Sequence, residues 1–293
     1  MKIFAFIILA MLLIGGESGC VDFQQRETSA FVPNGKVTDE TSFNGFSVKT
    51  YRSDDFEGSF EILRDNKRVY GQHGGYFYIG GQAANEDEAM RMPPPGADIT
   101  GNGKPNLVVC EWTGGAHCCY IAYVFEVGSS VKKIAEIDGL HDTPEFVDLD
   151  GDSLPEVILL DWTFAYWNTS FANSPAPKVI LKYKGQKYEV ASGLMRKPSL
   201  PNDLLNDLAG EIKALEWWGN NPPVKLWSEM LDLIYTGNMS QAWDLVELSW
   251  PRGIYPKELF LSDFKAQLQT SPFWKDLQKL NRGKEQQAGC SRR

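Results

Sequence analysis

Four acidic side chains stand close together in one short segment of the chain, "VDLDGDSLPEVILLDW". Asp148, Asp150 and Asp152 occupy alternate positions, and Glu156 follows them. Alternate residues of a tight loop can present oxygen atoms to a common centre, and Ca²⁺ takes about six to eight oxygen ligands. The pattern therefore predicts a calcium site, with the backbone carbonyl of Leu154 as a further ligand. The alternative is an acidic, solvated turn that holds no ion.

A second segment, "ADITGNGKPNLVVCEW", aligns with the first without a gap. Asp98 keeps the first acidic position, but Thr100, Asn102 and Asn106 replace the other acids, and Lys104 offers only its carbonyl. One carboxylate makes a weak or vestigial cation site. Asn and Thr side chains can instead hold such a loop by hydrogen bonds to its backbone.

The loops "DITGNGKPNLVV" and "DLDGDSLPEVIL" resemble the FG-GAP or VCBS-type repeat, in which D-x-[DN]-G-D-G-x-x-D precedes a strand. The second loop departs from that pattern at Ser153 and Glu156. The resemblance covers roughly residues 95–165. It implies four-stranded antiparallel units, calcium in the loops, an extracytoplasmic setting and a binding role without catalysis. A closed propeller needs about four blades or more, and this chain has room for fewer, so we expect propeller-like meanders that do not close.

Two adjacent cysteines follow a glycine bend in "TGGAHCCYIAYVFEV". If the hairpin turns at Gly114, or between Gly114 and Gly115, then Cys110 faces Cys118 or Cys119 on the next strand. Opposed residues have Cβ atoms about 4.5–5.5 Å apart, close to the roughly 3.5–4.5 Å of a disulfide. We therefore predict a structural disulfide from Cys110 to Cys118 or Cys119.

Three other roles stay open for this segment: a vicinal disulfide between the neighbouring cysteines, a thiol-redox centre, and a zinc or copper site. The cysteine left over by a hairpin bridge could pair with Cys290. Strand alternation places adjacent residues on opposite faces, which disfavours one shared ion. The candidate soft-metal ligands are His117, Cys118, Cys119, His141 and His73.

The N-terminus, "MKIFAFIILAMLLIGGESGC", is typical of a signal peptide over residues 1–19. Lys2 precedes an unbroken apolar run that is too short for a comfortable membrane span. Cys20 resembles the lipidated cysteine of a bacterial lipobox, although Glu17 stands where that pattern has Leu. Cleavage after Ser18 is the alternative. We expect a periplasmic, outer-membrane-anchored or extracellular protein, in an oxidising compartment.

The spacing of apolar residues divides the rest of the chain into segments of different predicted structure. Residues 20–42 read as a linker, 43–195 as antiparallel β-meander repeats, 201–282 as a smaller helical domain and 283–293 as a flexible tail. The first predicted helix places its apolar residues on one stripe. These are Leu204, Leu205, Leu208, Ile212 and Leu215. "LDLIYTGNMSQAWDLVELSWP" resembles one tetratricopeptide-type helix pair, and an ordinary helical hairpin is the alternative, since solenoids need about three repeats.

Aromatic residues cluster after the second loop, in "DWTFAYWNTSFANSPAP". Trp162, Tyr166 and Trp167 could stack on a ligand, or they could pack the β domain against the helices. Asp161, paired with Asp148 or Glu156, would suit an envelope glycan hydrolase, which needs two carboxylates.

The net charge of −9 disfavours a nucleic-acid partner. We expect an exported, non-catalytic, calcium-binding envelope protein with an envelope protein or glycan as partner, which reaches the membrane only through an N-terminal lipid.

Overall fold

The computed structural model describes residues 31–81, 92–115, 118–217, 222–253 and 256–290, and of residues 283–290 it describes the backbone. Three four-stranded sheets contain all twelve described strands, and in each sheet neighbouring strands are consecutive and antiparallel. The first sheet comprises β1 (Lys36–Phe43), β2 (Phe46–Arg52), β3 (Gly58–Arg64) and β4 (Lys67–Gly74). The central sheet comprises β5 (Tyr76–Ile79), β6 (Asn106–Trp112), β7 (Tyr120–Val127) and β8 (Val131–Leu140). The third sheet comprises β9 (Glu145–Val147), β10 (Glu156–Leu160), β11 (Lys178–Lys184) and β12 (Lys187–Val190).

The two inner strands of the central sheet, β6 and β7, are buried on both faces. In β6, Leu107 and Val109 pack into a core shared with the first sheet, whereas Val108 and Cys110 pack into a core shared with the third sheet and the helices. This explains the unbroken apolar run in "NLVVCEW", because a strand with two buried faces does not alternate between polar and apolar residues.

The turn residues account for the hairpins that join the strands. Asp65 and Asn66, with φ of 50° and 59°, connect β3 to β4, and both residue types adopt left-handed conformations readily. Asn44 and Gly45 likewise connect β1 to β2. The first and second strands of the first sheet are therefore joined by a tight turn. In the central and third sheets, a longer loop joins the first strand to the second.

Six helices lie in the C-terminal part of the described chain. They are α1 (Ser192–Met195), α2 (Asn202–Ala214), α3 (Val224–Tyr235), α4 (Met239–Ser249), α5 (Lys257–Leu268) and α6 (Trp274–Cys290). The apolar stripe predicted for α2 is partly wrong. Leu205 and Ile212 are buried, but Leu204 is 51% exposed because α2 packs through one narrow face. Leu215 is 42% exposed and lies just beyond the end of α2.

The predicted fold class, mainly β meanders without closure followed by helices, is confirmed. Two boundaries were wrong. The segment expected to be a linker contains β1, whose mostly exposed position at the sheet edge leaves no apolar alternation to detect. The segment expected to be a tail begins inside α6. Residues 1–19 and Cys20 lie outside the described residues.

The helices and the β-meanders share one hydrophobic core. Val157 and Leu159 of the third sheet belong to the same buried cluster as Trp227, Met230 and Phe264 of the helices. Within the described ranges, none of the helices combines the length and the apolar character that crossing a bilayer requires.

This shared core predicts one cooperative unfolding transition. We expect urea curves followed by tryptophan fluorescence and by far-ultraviolet circular dichroism to coincide, because neither part can lose its packing alone. Two separated transitions would contradict a common core.

Candidate functional site

The second loop, residues 148–156, joins β9 to β10 and is held together by Asp148. Its Oδ1 accepts a hydrogen bond from the Gly151 N–H at 2.7 Å, and its Oδ2 accepts one from the Ser153 N–H at 3.0 Å. Gly151 and Ser153 have positive φ, 79° and 72°. These bonds hold the chain in a tight turn whose other acidic side chains converge.

Glu156 closes the loop at the first residue of β10. Its side chain is 0% exposed, and its Oε2 accepts a hydrogen bond from the Leu149 N–H at 2.9 Å. One carboxylate oxygen from each of Asp148, Asp150 and Glu156 lies within 4.8 Å of the others. The structure thus brings together three of the predicted calcium ligands.

Lys182 of β11 is the residue that sequence reasoning missed. Its Nζ lies 2.6 Å from Asp150 Oδ2, 2.7 Å from Asp152 Oδ2 and 2.7 Å from Glu156 Oε1. Hydrogen bonds to Asp150, Asp152 and Glu156 raise the pKa of Lys182, and the bond from Lys182 lowers the pKa of Asp152. The register of β10 against β11, with Val157 opposite Leu181, is the signal that would have placed Lys182 beside Glu156.

The carboxylate groups of the second loop are suitable ligands for a hard cation, because they offer oxygen atoms that lie close enough together to bind one ion. The Lys182 ammonium already neutralises part of their charge, so Ca²⁺ would have to displace it. Asp152 Oδ1 accepts a hydrogen bond from the Leu154 N–H at 2.9 Å. Its Oδ2, which contacts Lys182, is the oxygen that a metal ion could bind in place of the ammonium group.

The first loop, residues 98–106, repeats the same backbone hydrogen bonds, but neutral side chains replace all of the acidic residues except Asp98. Asp98 accepts from the N–H groups of Thr100, Gly101 and Gly103, at 3.1, 2.8 and 2.7 Å. Burial alone would raise the pKa of Asp98, but the bonds from these N–H groups outweigh it and the pKa is lowered. Asn106 Oδ1 accepts from the Ile99 N–H at 2.9 Å, as Glu156 does from Leu149.

The polar side chains of the first loop are used to attach it to β7. Asn102 Nδ2 donates to Glu126 Oε2 at 2.7 Å, and Lys104 Nζ lies 2.6 Å from Glu126 Oε1. The bond from Lys104 lowers the pKa of Glu126. The two loops are also neighbours, since a Cβ on Gly101 would lie 2.7 Å from Leu154 Cδ1. The first loop is therefore a hydrogen-bonded support beside the acidic second loop.

The structure contradicts the predicted disulfide of Cys110. Cys110 is a free, fully buried thiol that pairs in register with Ala122. The hairpin loop spans residues 113–119, closed by a hydrogen bond from the Thr113 N–H to the Cys119 carbonyl at 2.9 Å. This loop is longer than a turn centred on the glycines, so neither Cys118 nor Cys119 reaches a position opposite Cys110.

The sulfur atoms of Cys118 and Cys119 contact each other instead. His117 and the side chain of Cys290 lie outside the described residues. His73 packs on Phe31 with ring centroids 4.5 Å apart, and His141 packs edge-on to Trp162 at 5.0 Å.

The aromatic residues after β10 divide into two groups. Trp167 packs against Trp227 and Phe264, with ring centroids 5.5 and 6.0 Å away, which is the packing role considered from the sequence. Trp162 stacks on Phe171 at 4.9 Å, and Tyr166 is 58% exposed. Ligand stacking by Trp162 and Tyr166 stays a prediction.

Asp161 connects the third sheet to the helices. Its Oδ2 accepts hydrogen bonds from the Tyr235 hydroxyl at 2.5 Å and the Ser271 hydroxyl at 2.6 Å. Its Oδ1 accepts from the N–H and hydroxyl of Thr163, at 2.9 and 2.5 Å. The side chain is buried, and four donors satisfy its oxygens, as a buried carboxylate requires.

This arrangement does not support the hydrolase alternative. The extended strand β10 separates Glu156 from Asp161, which at about 3.3 Å per residue places them roughly 16 Å apart. Glycosidase carboxylates lie about 5–9.5 Å apart. Asp148 lies beside Glu156, at the same distant end of the strand.

No family model matches the chain, and no solved structure matches it significantly. The chain is 26% identical over 156 residues to the uncharacterized protein y4bJ of Sinorhizobium fredii (strain NBRC 101917 / NGR234), a match that covers 51% of this chain and 24% of that protein. The chain thus spans about a quarter of the length of this relative.

The buried tyrosine at the sheet–helix junction predicts sensitivity to alkali. Burial, followed by the charge and hydrogen bond of Asp161, raises the pKa of Tyr235. The native state then keeps a proton that the unfolded chain releases near pH 10, so stability falls above that pH by about 1.4 kcal/mol per unit. We expect Tyr235→Phe to remove this part of the slope in urea unfolding between pH 9 and 11. The exposed Tyr166→Phe is the control, and equal slopes in wild type and Tyr235→Phe would contradict the network.

The buried thiol predicts a distinct labelling pattern. Burial, and secondarily the charge of Glu111, raises the pKa of Cys110 to about 12, and alkylation requires the thiolate. We expect iodoacetamide at pH 8 to spare Cys110 in the native protein and to label it in urea. Peptide mapping without reduction would contradict the structure if it joined Cys110 to Cys118 or Cys119.

Proposed function

We propose that the protein is a non-catalytic binding module of the cell envelope, in which the second loop takes up a divalent cation, most suitably Ca²⁺. The observation that carries this proposal is the convergence of oxygen atoms from Asp148, Asp150 and Glu156 within 4.8 Å. Asp152 contributes a fourth carboxylate next to them.

The ammonium group of Lys182 would compete with a metal ion for the carboxylates of the second loop. Without the ammonium group, the carboxylates of Asp150, Asp152 and Glu156 would repel each other. A bound Ca²⁺ would take over the neutralisation that Lys182 provides, and the lysine would turn towards solvent. We therefore propose a weak site, in the range of about 10⁻⁴–10⁻³ M that is found in extracellular calcium modules.

Export is part of the same proposal. Its support is the N-terminal segment, with an apolar run after Lys2 and a cysteine at position 20 that resembles a lipidation site. The resemblance of the two loops to the FG-GAP or VCBS-type repeat favours the same setting.

Thiol chemistry at Cys118 and Cys119 is a second candidate function, favoured by the contact between their sulfur atoms. The peptide mapping described above also tests it. A pair that cycles between bonded and free forms under mild reductant would support this candidate, and a pair that is always free would remove it.

Thermal unfolding with and without calcium tests the cation proposal. At about 10 mM Ca²⁺, a site of this affinity adds roughly 1.4–2.7 kcal/mol, which raises Tm by about 2–4 °C for a chain of this size. Lys182→Met should be less stable than wild type in chelator, because the carboxylates lose their counter-charge. The same variant should respond more strongly to Ca²⁺, because the competitor is gone.

Two further variants complete the test. Asp150→Asn should lose the calcium response. Lys104→Met is the matched control, since it removes the ion pair between Lys104 and Glu126 in the first loop, and it should keep the wild-type response. A Tm that is indifferent to Ca²⁺ in both wild type and Lys182→Met would contradict the proposal.

A further inference from the structure

A shallow depression of about 480 Å³ lies between the first and central sheets and is lined by Phe56, Trp112, Gly114 and Gly115. Phe56 belongs to the loop that joins β2 to β3, Trp112 ends β6, and the glycines lie in the loop from β6 to β7. Because the glycines have no side chains, the two aromatic rings form the walls of the depression.

Phe56 is held on the surface in a costly conformation. Its side chain is 65% exposed, and its φ of 60° lies in the left-handed region, which is unfavourable for a bulky residue. The ring stacks on Tyr76 with centroids 5.8 Å apart, and Tyr76 pairs in register with Trp112 at 5.5 Å. An exposed aromatic residue in a strained conformation, supported by two further rings, indicates a binding role.

Trp112 provides a hydrogen-bond donor at this depression. Its indole N–H donates to no acceptor within the described ranges, and it is not among the buried polar atoms without a partner. It is also the one polar group among the side chains that line the depression. A ligand that fits is therefore apolar along its length and carries an acceptor oxygen for the indole N–H.

A proline-rich segment has these properties. Proline rings are apolar and pack against aromatic side chains, and the extended polyproline conformation exists before binding, so it costs little entropy. Proline has no N–H that the apolar walls would leave unpaired, and its carbonyl is an acceptor. A sugar would bring several hydroxyl groups to a surface whose side chains offer one donor.

The charges around Phe56 favour a basic segment. Asp54, Asp55 and Glu57 are exposed on the same loop. The one positive side chain of residues 52–57 is Arg52, whose guanidinium lies 3.6 Å from the centroid of the Tyr76 ring. This excess of carboxylates attracts a cationic partner and repels an acidic peptide or an anionic lipid surface.

We propose that this depression binds a proline-rich segment of a partner protein that carries arginine or lysine next to its prolines. The proline rings lie against Phe56 and Trp112, and a proline carbonyl accepts from the Trp112 indole N–H. The basic side chain pairs with the carboxylates beside Phe56. The site is formed by the first and central sheets, so it lies apart from the second loop and does not depend on the cation proposal.

Calorimetric titration of the full chain with a capped peptide of six prolines followed by two arginines tests this proposal. Phe56→Ala should weaken the affinity about tenfold or more, as the loss of an aromatic anchor implies. Trp112→Phe, which keeps a ring but removes the N–H, should weaken it about three- to tenfold. Tyr166→Ala is the matched control, because it removes another exposed aromatic side chain, 58% exposed, from the loop after β10, and it should bind as wild type does.

Three further measurements separate a basic proline-rich ligand from other occupants. At low ionic strength, joint replacement Asp54→Asn and Asp55→Asn should weaken binding about two- to fivefold. A peptide with two glutamates in place of the arginines should bind more weakly than the basic peptide. Phe56→Gly, which suits the left-handed conformation, should lose binding while its urea midpoint is at least that of Phe56→Ala, so that the loss is not due to unfolding.

Several outcomes would overturn the proposal. These are no binding of the basic peptide to wild type, unchanged affinity in Phe56→Ala or Trp112→Phe, and equal affinity for the basic and acidic peptides. Binding of chitohexaose that Phe56→Ala removes, without binding of the peptide, would assign the depression to a glycan instead.

Discussion

Burial of both faces of β6 and β7 is the constraint that organises this protein. Leu107 and Phe125 pack towards the first sheet, whereas Val108 and Val124 pack towards the third sheet and the helices. Each fully buried side chain of this kind contributes about 1.5–3 kcal/mol, but only if a layer covers it. The first sheet therefore covers one face of the central sheet, and the third sheet and helices together cover the other.

The strand β10 connects the two polar sites of the third sheet. Glu156 begins it, within the acidic second loop, and Asp161 follows its last residue. Both carboxylates are buried, but they are neutralised differently: Glu156 faces the Lys182 ammonium, whereas Asp161 accepts hydrogen bonds from neutral donors. The length of the strand keeps them apart, so they serve two separate purposes rather than one catalytic pair.

The two loops show how one backbone design supports two chemistries. In both loops the first residue, Asp98 or Asp148, accepts hydrogen bonds from N–H groups of the loop itself. The last residue, Asn106 or Glu156, accepts a hydrogen bond from the N–H of the residue that follows this Asp. The first loop fills the remaining positions with neutral side chains and a lysine paired to Glu126. The second fills them with carboxylates and draws its counter-charge from the neighbouring strand. The repeat therefore fixes the shape of the loop, and the substituted side chains decide whether a cation is needed.

The sequence by itself determined what depends on short-range pattern: the antiparallel meanders, the Asp65–Asn66 turn, the helical C-terminal part and the convergence of Asp148, Asp150 and Glu156. These follow from backbone geometry over a few residues, which periodicity and turn propensity report directly. Only the tertiary structure decided that Lys182 enters the acidic loop, that Cys110 stays free and that Asp161 joins sheet to helix. Each of these depends on strand register or on contacts between residues far apart in the chain, and a shift of one residue in register changes which side chains meet.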